Sequence, residues 1–460
     1  MLLLIVLIVM IVLVLVSAAM SEGDLLSPSV VLTSMFAVST AFAYLMQDEW
    51  VWVSYTAEMG RLLIAGVLAF IAGETFVRYV LFRRRRSRPS VGEPPKPRLL
   101  SISGWKIGLI SALGAALIAW QYREVSRLAV LGGFSGTGNM LTYYRSQVSF
   151  TLSDEALNPL LVQGLRFIEI CGYIGAFVFV NNVFVWRRKL RDNLSYLVPI
   201  ALFVAKNLLN SDRGRILWLL SFMVVAAFYL AWQARGWRPP QAFRTISRAV
   251  VLAVLTMTGF YYLAEVVGRT TQRTHAAFEY LAIYLGGPIG NFAQYIEEPA
   301  PANSFFGEET FLNVYRFADT LGLTEFAKLS QLEFRYVSPD ARGNIYTFFR
   351  TLIQDFGVLG MILLSFAIGA FFSWYVLRFI RDREISPGSD CAILIYAYLF
   401  FLIITASVQN RLFLYLSVSG ATAIVGLLVT YRILVDSWPK ERALNGSHIQ
   451  SAEGSVPKST

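Results

Sequence analysis

The sequence predicts an all-α polytopic integral membrane protein, and three observations carry that expectation. Hydrophobic residues make up 56% of the 460-residue chain and charged residues only 15%, where a soluble globular protein carries roughly 25% charged residues. Mean hydropathy is +0.54. Apolar runs long enough to cross a bilayer recur along the chain, and Lys and Arg gather in alternate connections between them.

Met1 to Ala19 is nearly all Leu, Ile, Val and Met. No positive segment precedes it and it is too long for the apolar core of a signal peptide, so it reads as the first span. Further spans are expected at 29–46, 61–82, 100–120, 165–186, 194–210, 214–233, 249–267, 353–377, 391–408 and 412–431, about eleven transmembrane helices in all. Arg83, Arg84, Arg85, Arg86 and Arg88 follow the third, and Arg187, Arg188, Lys189 and Arg191 the fifth. Arg235, Arg238, Arg244 and Arg248 follow the seventh, and Arg378, Arg381 and Arg383 the ninth. Alternation puts these four connections on one face. The positive-inside bias makes it cytoplasmic, with the N-terminus outside and the C-terminus inside. The net charge of +10 is accounted for in this way, and a nucleic-acid partner is not implied.

The expected organisation is a single integral membrane domain, 1–437, with two long outer loops, 121–164 and 268–352, and a disordered cytoplasmic tail, 438–460. Residues 276–295 and 310–329 are expected to form short amphipathic or re-entrant helices within the larger loop. No internal repeat is visible. Cys171 and Cys391 fall near opposite faces, which argues against a disulfide. The two histidines, His275 and His448, exclude a His-rich metal site, and no Walker, HExxH or CxxC pattern occurs.

The candidate chemistry lies on the outer face, where positive residues are otherwise depleted. Lys206, Arg213 and Arg215 flank a tight turn beside Gly214. Arginine forks pair with phosphate oxygens, so the group either holds a pyrophosphate or anchors two helix ends by snorkelling. Arg269 and Arg273 are four apart and share a helix face, ahead of Glu279, Tyr280 and Tyr284. The tyrosines suit the apolar faces of sugars and equally suit an interfacial aromatic belt. His275 is a candidate general base because imidazole titrates near neutrality. Arg342, Asn344 and Tyr346 converge where the loop re-enters the membrane, followed by Arg350 and Asp355-Phe356-Gly357. Asp355 suits a helix cap. Gln409, Asn410 and Arg411 form another short outer turn, and Tyr143, Tyr144 and Arg145 a weaker signal. Glu74, Arg78, Glu169 and Glu265 fall inside spans, where a charge is costly, and are expected to face the bundle interior.

This pattern resembles the bacterial O-antigen polymerases, the Wzy-type oligosaccharide repeat-unit polymerases. The residues behind the resemblance are Asp24-Leu25-Leu26-Ser27-Pro28, Ser211-Asp212-Arg213-Gly214, Tyr280 to Pro288 (YLAIYLGGP) and Asn344 to Gly360 (NIYTFFRTLIQDFGVLG). The resemblance implies a GT-C-like glycosyltransferase in the bacterial inner membrane. It would act on polyprenyl (undecaprenyl) pyrophosphate-linked oligosaccharide at the periplasmic face, with no metal and no cofactor. Arg213, Arg215, Arg269, Arg273 and Arg342 would neutralise the leaving pyrophosphate. His275, Glu279 and Glu265, in that order, are the candidate bases, and Tyr280, Tyr284, Asn344 and Tyr346 the sugar contacts. A chain-length regulator is a possible partner beside the membrane lipids. An O-antigen ligase and a flippase or transporter of lipid-linked oligosaccharide remain as alternatives.

Overall fold

The computed structural model describes residues 1–21, 24–81, 98–149, 157–237, 242–267, 277–326, 332–381 and 386–436. The described chain is an all-α bundle with two short β ladders. Seven helices are long and apolar enough to cross a membrane: Leu2–Met20, Pro28–Leu45, Ala57–Val80, Pro159–Val185, Arg213–Ala234, Phe348–Ile380 and Pro387–Ile404. Seventeen α-helical segments are labelled in chain order. They are α1 (Leu2–Met20), α2 (Pro28–Leu45), α3 (Ala57–Phe76), α4 (Gly104–Leu131), α5 (Met140–Ser149), α6 (Pro159–Phe179), α7 (Leu197–Leu209), α8 (Arg213–Ala234), α9 (Ala242–Val266), α10 (Ala277–Leu285), α11 (Gly287–Glu297), α12 (Leu312–Thr320), α13 (Phe348–Tyr375), α14 (Pro387–Leu399), α15 (Phe401–Ile404), α16 (Leu412–Tyr415) and α17 (Val418–Leu434).

The remaining four expected spans are also helical. Among them α7 has 13 residues and α17 has 17, below the roughly 20 that cross hydrocarbon. The 28-residue α4 carries Lys106 near one end and Gln121, Arg123, Glu124 and Arg127 through its second half. Several helices start earlier than their apolar cores, because caps decide the ends. The Thr56 side chain accepts from Met59 N before α3, and Asn158 accepts from Leu160 N before α6. Ser386 and Ser389 form a reciprocal capping box before α14.

Helix α13 begins at Phe348, after Thr347. Asp355 is therefore not its cap. The Asp355 carboxylate instead accepts from the backbone of Glu309 and Thr310 and from the Asn303 side chain, pinning the preceding loop. The helix breaks at Gly357, whose φ of 69° is in the left-handed region. The short re-entry helix Phe348–Phe356 thus meets the long apolar span at an angle the glycine permits.

The closest helix contact is α3 on α13. A Cβ on Gly73 would lie 2.0 Å from the Phe366 carbonyl oxygen, and one on Gly369 would lie 2.2 Å from that of Phe70. The two backbones therefore touch through reciprocal glycines, the small-residue packing that apolar helices use in lipid.

The helix ends that lead into the arginine-bearing connections lie together at one end of the bundle. There β1 (Ser101–Ile102) pairs antiparallel with β4 (Val435–Asp436). Arg98 pairs with Asp390 at 2.7 Å, and Lys106 with Asp436 at 2.7 Å. Asp24, Glu74 and Arg78 form a buried cluster at the same end, with Ser27 and the Ser29 N–H donating to Glu74. At the far end, β2 (Arg335–Tyr336) and β3 (Arg342–Gly343) form a small hairpin, and Gln294 of α11 donates to the carbonyls of Trp52 and Tyr336. The expected helices of the larger loop appear as α10, α11 and α12, and the smaller loop contains α5. Both cysteines are buried and free.

Gly369→Val is expected to push α13 off α3 and lower stability by about 1–3 kcal/mol, read as a fall in the unfolding midpoint in detergent. Asp24 provides a pH test. Burial, against the pull of Arg78, raises its carboxyl from 3.8 to about 6. A raised acid stabilises the fold below its unfolded value, and that contribution is lost as pH rises through about 6. Asp24→Asn should therefore gain on the parent in unfolding midpoint as pH rises from about 4 to about 6. A constant difference across that window counts against the assignment.

Candidate functional site

Helix α6 places Arg166, Glu169, Ile170 and Tyr173 on one face, since these positions recur at helical spacing. Facing them is the α7–α8 turn. Its reversal is made by Ser211, the residue with φ of 55°, and not by Gly214, which lies inside α8. Ser211 donates from Oγ to the Val267 carbonyl at 2.6 Å, and Asp212 caps α8 by accepting from Arg215 N. Gln121 of α4 donates to the Lys206 carbonyl and to Asn210 Oδ1, so the turn is tied from behind.

These elements line an open cavity of about 260 Å³. Glu169 is held between Lys206 at 2.9 Å and Arg215 at 2.8 Å. Arg166 donates to Ser419 Oγ at 2.9 Å and to Thr422 Oγ1 at 3.1 Å on α17. The charged residues of the wall are Arg166, Lys206 and Arg215 against the single carboxylate of Glu169. Behind Arg215 lies Arg411, whose pKa is pushed down by burial although the Asp212 charge opposes the shift. The Arg411 Nε has no hydrogen-bond partner. Tyr173, Trp218 and Tyr398 supply aromatic surface, and Leu165, Ile170, Ala423 and Leu427 line an apolar side. The cavity is therefore amphipathic: cations at one wall, hydrocarbon at the other. It suits an anion carried on an apolar or aromatic-stacking body.

Arg213 is two residues from Arg215, and positions two apart on a helix point in different directions. Its guanidinium is buried against the other side of the bundle, 3.6 Å from the Phe260 ring centroid. It donates to the Phe260 carbonyl at 2.9 Å and to the Tyr280 hydroxyl. The Tyr280 and Tyr284 rings lie beside it, tilted 47° to each other with centroids 4.9 Å apart. This group locks α8 to α9 and α10 and does not line the cavity that Arg215 lines. Arg342 is exposed on the β2–β3 hairpin, over Phe334 and Tyr336, and donates to the Tyr336 hydroxyl. Tyr346 is buried and donates to the Glu333 carbonyl. Asn344 is half-buried between β3 and α13, and Glu279 is half-buried on α10. The described members of the expected pyrophosphate set, Arg213, Arg215 and Arg342, therefore lie in three separate places. Arg269, Arg273 and His275 lie outside the described residues, as does the side chain of Glu265.

A second charged cluster sits beneath the large loop. Arg350 is buried, donates to Glu309, and grips both oxygens of Glu333 at 2.9 and 3.0 Å. Its guanidinium carbon lies 4.9 Å from the Tyr295 ring and 5.2 Å from that of Tyr346. Burial alone would raise the Glu333 carboxyl, but the Arg350 guanidinium outweighs it and holds the group below its ordinary value. Through its two terminal nitrogens Arg350 anchors the loop to α13.

Lys206 and Glu169 stand out in the sequence as charges at span positions. Arg166 and Asn313, which also line the cavity, do not. Arg166 falls at the edge of an apolar run, and its spacing of three from Glu169 was the available signal. Among the described residues no three His, Cys, Asp or Glu side chains come together as a metal site would require. No family model, curated protein or solved structure matches the chain.

Glu169→Gln removes the carboxylate that Lys206 and Arg215 share and leaves Asp212, 3.7 Å from Arg215, as the remaining counter-charge. It is expected to cost roughly 3 kcal/mol of stability. Inorganic pyrophosphate should raise the unfolding midpoint of this variant more than that of the parent chain. No rise in midpoint with pyrophosphate in either protein would show that the cavity does not take anions.

Proposed function

We propose that the chain is a glycosyltransferase that polymerises polyprenyl-pyrophosphate-linked oligosaccharide repeat units. In this reading it has about eleven spans in a GT-C-like arrangement, and the far end of the bundle faces outward from a bacterial inner membrane. The observation that carries the proposal is the cavity between α6, α8 and α17, where Arg166, Lys206 and Arg215 outnumber Glu169 beside an apolar wall. A lipid pyrophosphate needs both surfaces: cations for the diphosphate and hydrocarbon for the chain it is attached to.

In the proposed reaction the acceptor hydroxyl attacks the anomeric carbon of the growing glycan. The bond from that carbon to the pyrophosphate oxygen breaks, and the lipid pyrophosphate leaves with the electron pair. Arg166, Lys206 and Arg215 stabilise that developing charge in a site of low dielectric, where fixed cations count for more than in water. Tyr173, Trp218 and Tyr398 offer rings for sugar faces. The acceptor also loses a proton; of the candidate bases, Glu279 lies on α10 away from the cavity, and His275 and the side chain of Glu265 lie outside the described residues. Arg213 and Arg342 take structural roles here, because both are engaged away from the cavity.

Reconstitution with lipid-linked repeat units tests the reading. The parent protein should yield a ladder of polymers. Arg215→Ala and Arg166→Ala should each reduce the rate by about 10²–10³, the order for loss of one charge-stabilising donor, while Arg342→Ala keeps most of it. If the parent gives no ladder, the polymerase assignment is wrong.

A further inference from the structure

The loop between α11 and α13 carries an apolar surface that the fold leaves uncovered. On α12, Val314, Phe317 and Leu321 are exposed by 44%, 45% and 57% and recur at helical spacing as one stripe. Leu323 follows, exposed by 72%, and Phe306, earlier in the loop, by 74%. The opposite side of α12 is bound to protein. Leu312 is buried, Tyr315 stacks on Phe326, and Asn313 donates to the Phe413 carbonyl at 2.9 Å.

The position of the loop decides what covers this surface. On one side, Phe306 packs edge-on against Phe356 with centroids 5.1 Å apart, and Val358, Leu359 and Leu363 continue the exposed apolar surface along the α13 span. On the other side, α12 packs against α16 and α17. There Leu416 and Val418 are exposed, followed by Val425 and Val429 along α17. The stripe is therefore continuous with the lipid-facing sides of two apolar helices, at the level where both begin. A helix held to protein on one side through Leu312, Asn313 and Tyr315, with its apolar stripe at that level and Asp319 and Thr320 exposed, fits the headgroup–acyl boundary.

We infer that residues 304–323 lie in the membrane interface at the far end of the bundle, with Phe306, Val314, Phe317, Leu321 and Leu323 among lipid acyl chains. Asn313, one residue before Val314, lines the cavity. The interfacial segment therefore borders the cavity that holds Arg166, Lys206 and Arg215. The placement of α12 holds whatever reaction the cavity performs.

Spin labels test it in nanodiscs of phosphatidylethanolamine and phosphatidylglycerol. Single nitroxides would be placed at V314C, F317C and L321C, with D340C on the exposed hairpin tip as an aqueous reference. Cys171 and Cys391 would be replaced by Ala. Labels on the stripe should collide more with oxygen than with a water-soluble nickel chelate, and the ratio should reverse at 340. Ready access of the nickel chelate to the stripe would overturn the inference. So would protection from both reagents, which would mean that protein covers the stripe. The unsubstituted protein gives an independent reading: a membrane-partitioning aryl diazirine should tag the 304–323 peptide and a water-soluble diazirine should not. The opposite pattern overturns the proposal.

Discussion

The bundle depends on one constraint: a charge placed among apolar helices must meet an opposite charge, because the cost of leaving it alone is several kcal/mol. Four clusters meet it. Asp24 and Glu74 share Arg78, Arg98 takes Asp390, Glu169 takes Lys206 and Arg215, and Arg350 takes Glu309 and Glu333. The first two lie at the arginine-rich end and the last two at the far end. Apolar and aromatic packing fills the space between, including the Trp218 ring stacked on Tyr398 and Phe401. Each cluster joins elements far apart in sequence, so charge pairing selects which helices are neighbours, while glycine contacts such as Gly73 on Phe366 set how close they come.

The balance within those clusters separates architecture from chemistry. Around Asp24, Arg98 and Arg350 the carboxylates match or outnumber the cations, and each charge is paired with another. Lining the cavity, Arg166, Lys206 and Arg215 face the one carboxylate of Glu169, with Asp212 3.7 Å from Arg215 outside that wall. An excess of positive charge beside apolar side chains is an expensive feature to build into a fold, which is why the functional reading rests there. The Arg350 cluster serves the same region indirectly. By holding Glu309 and Glu333 it fixes both ends of the loop segment that contains α12, and Asp355 fixes the same stretch through backbone amides.

Hydropathy made the helical membrane class legible, because apolar composition acts over whole segments. It located helix centres and left the ends to capping residues, so α3, α6, α13 and α14 each begin earlier than their apolar runs. The tight turn before α8 was legible as well, although its left-handed residue is Ser211 and not the glycine beside it. The site was harder to read. Arg213 and Arg215 look equivalent in a string, and only the packing of α9 and α10 against one side of α8 separates a structural clamp from a cavity wall. Arg342 stood out by its neighbours, yet a two-residue ladder with Arg335 and Tyr336 turns it to the surface. Arg166 passed unnoticed because its partners, Ser419 and Thr422, come more than 250 positions later.

That separation has a consequence for how the protein is made. The β1–β4 ladder joins Ser101 to Asp436, and Lys106 also reaches the Ile433 and Leu434 carbonyls. At ribosomal rates of about 5–20 residues per second, the strand at 101 waits roughly 20–70 s for its partner to be synthesised. Arg98 and Arg166 wait in the same way for Asp390 and for Ser419. The first half of the bundle therefore enters the membrane before it can close, and it closes only once α17 and β4 have emerged.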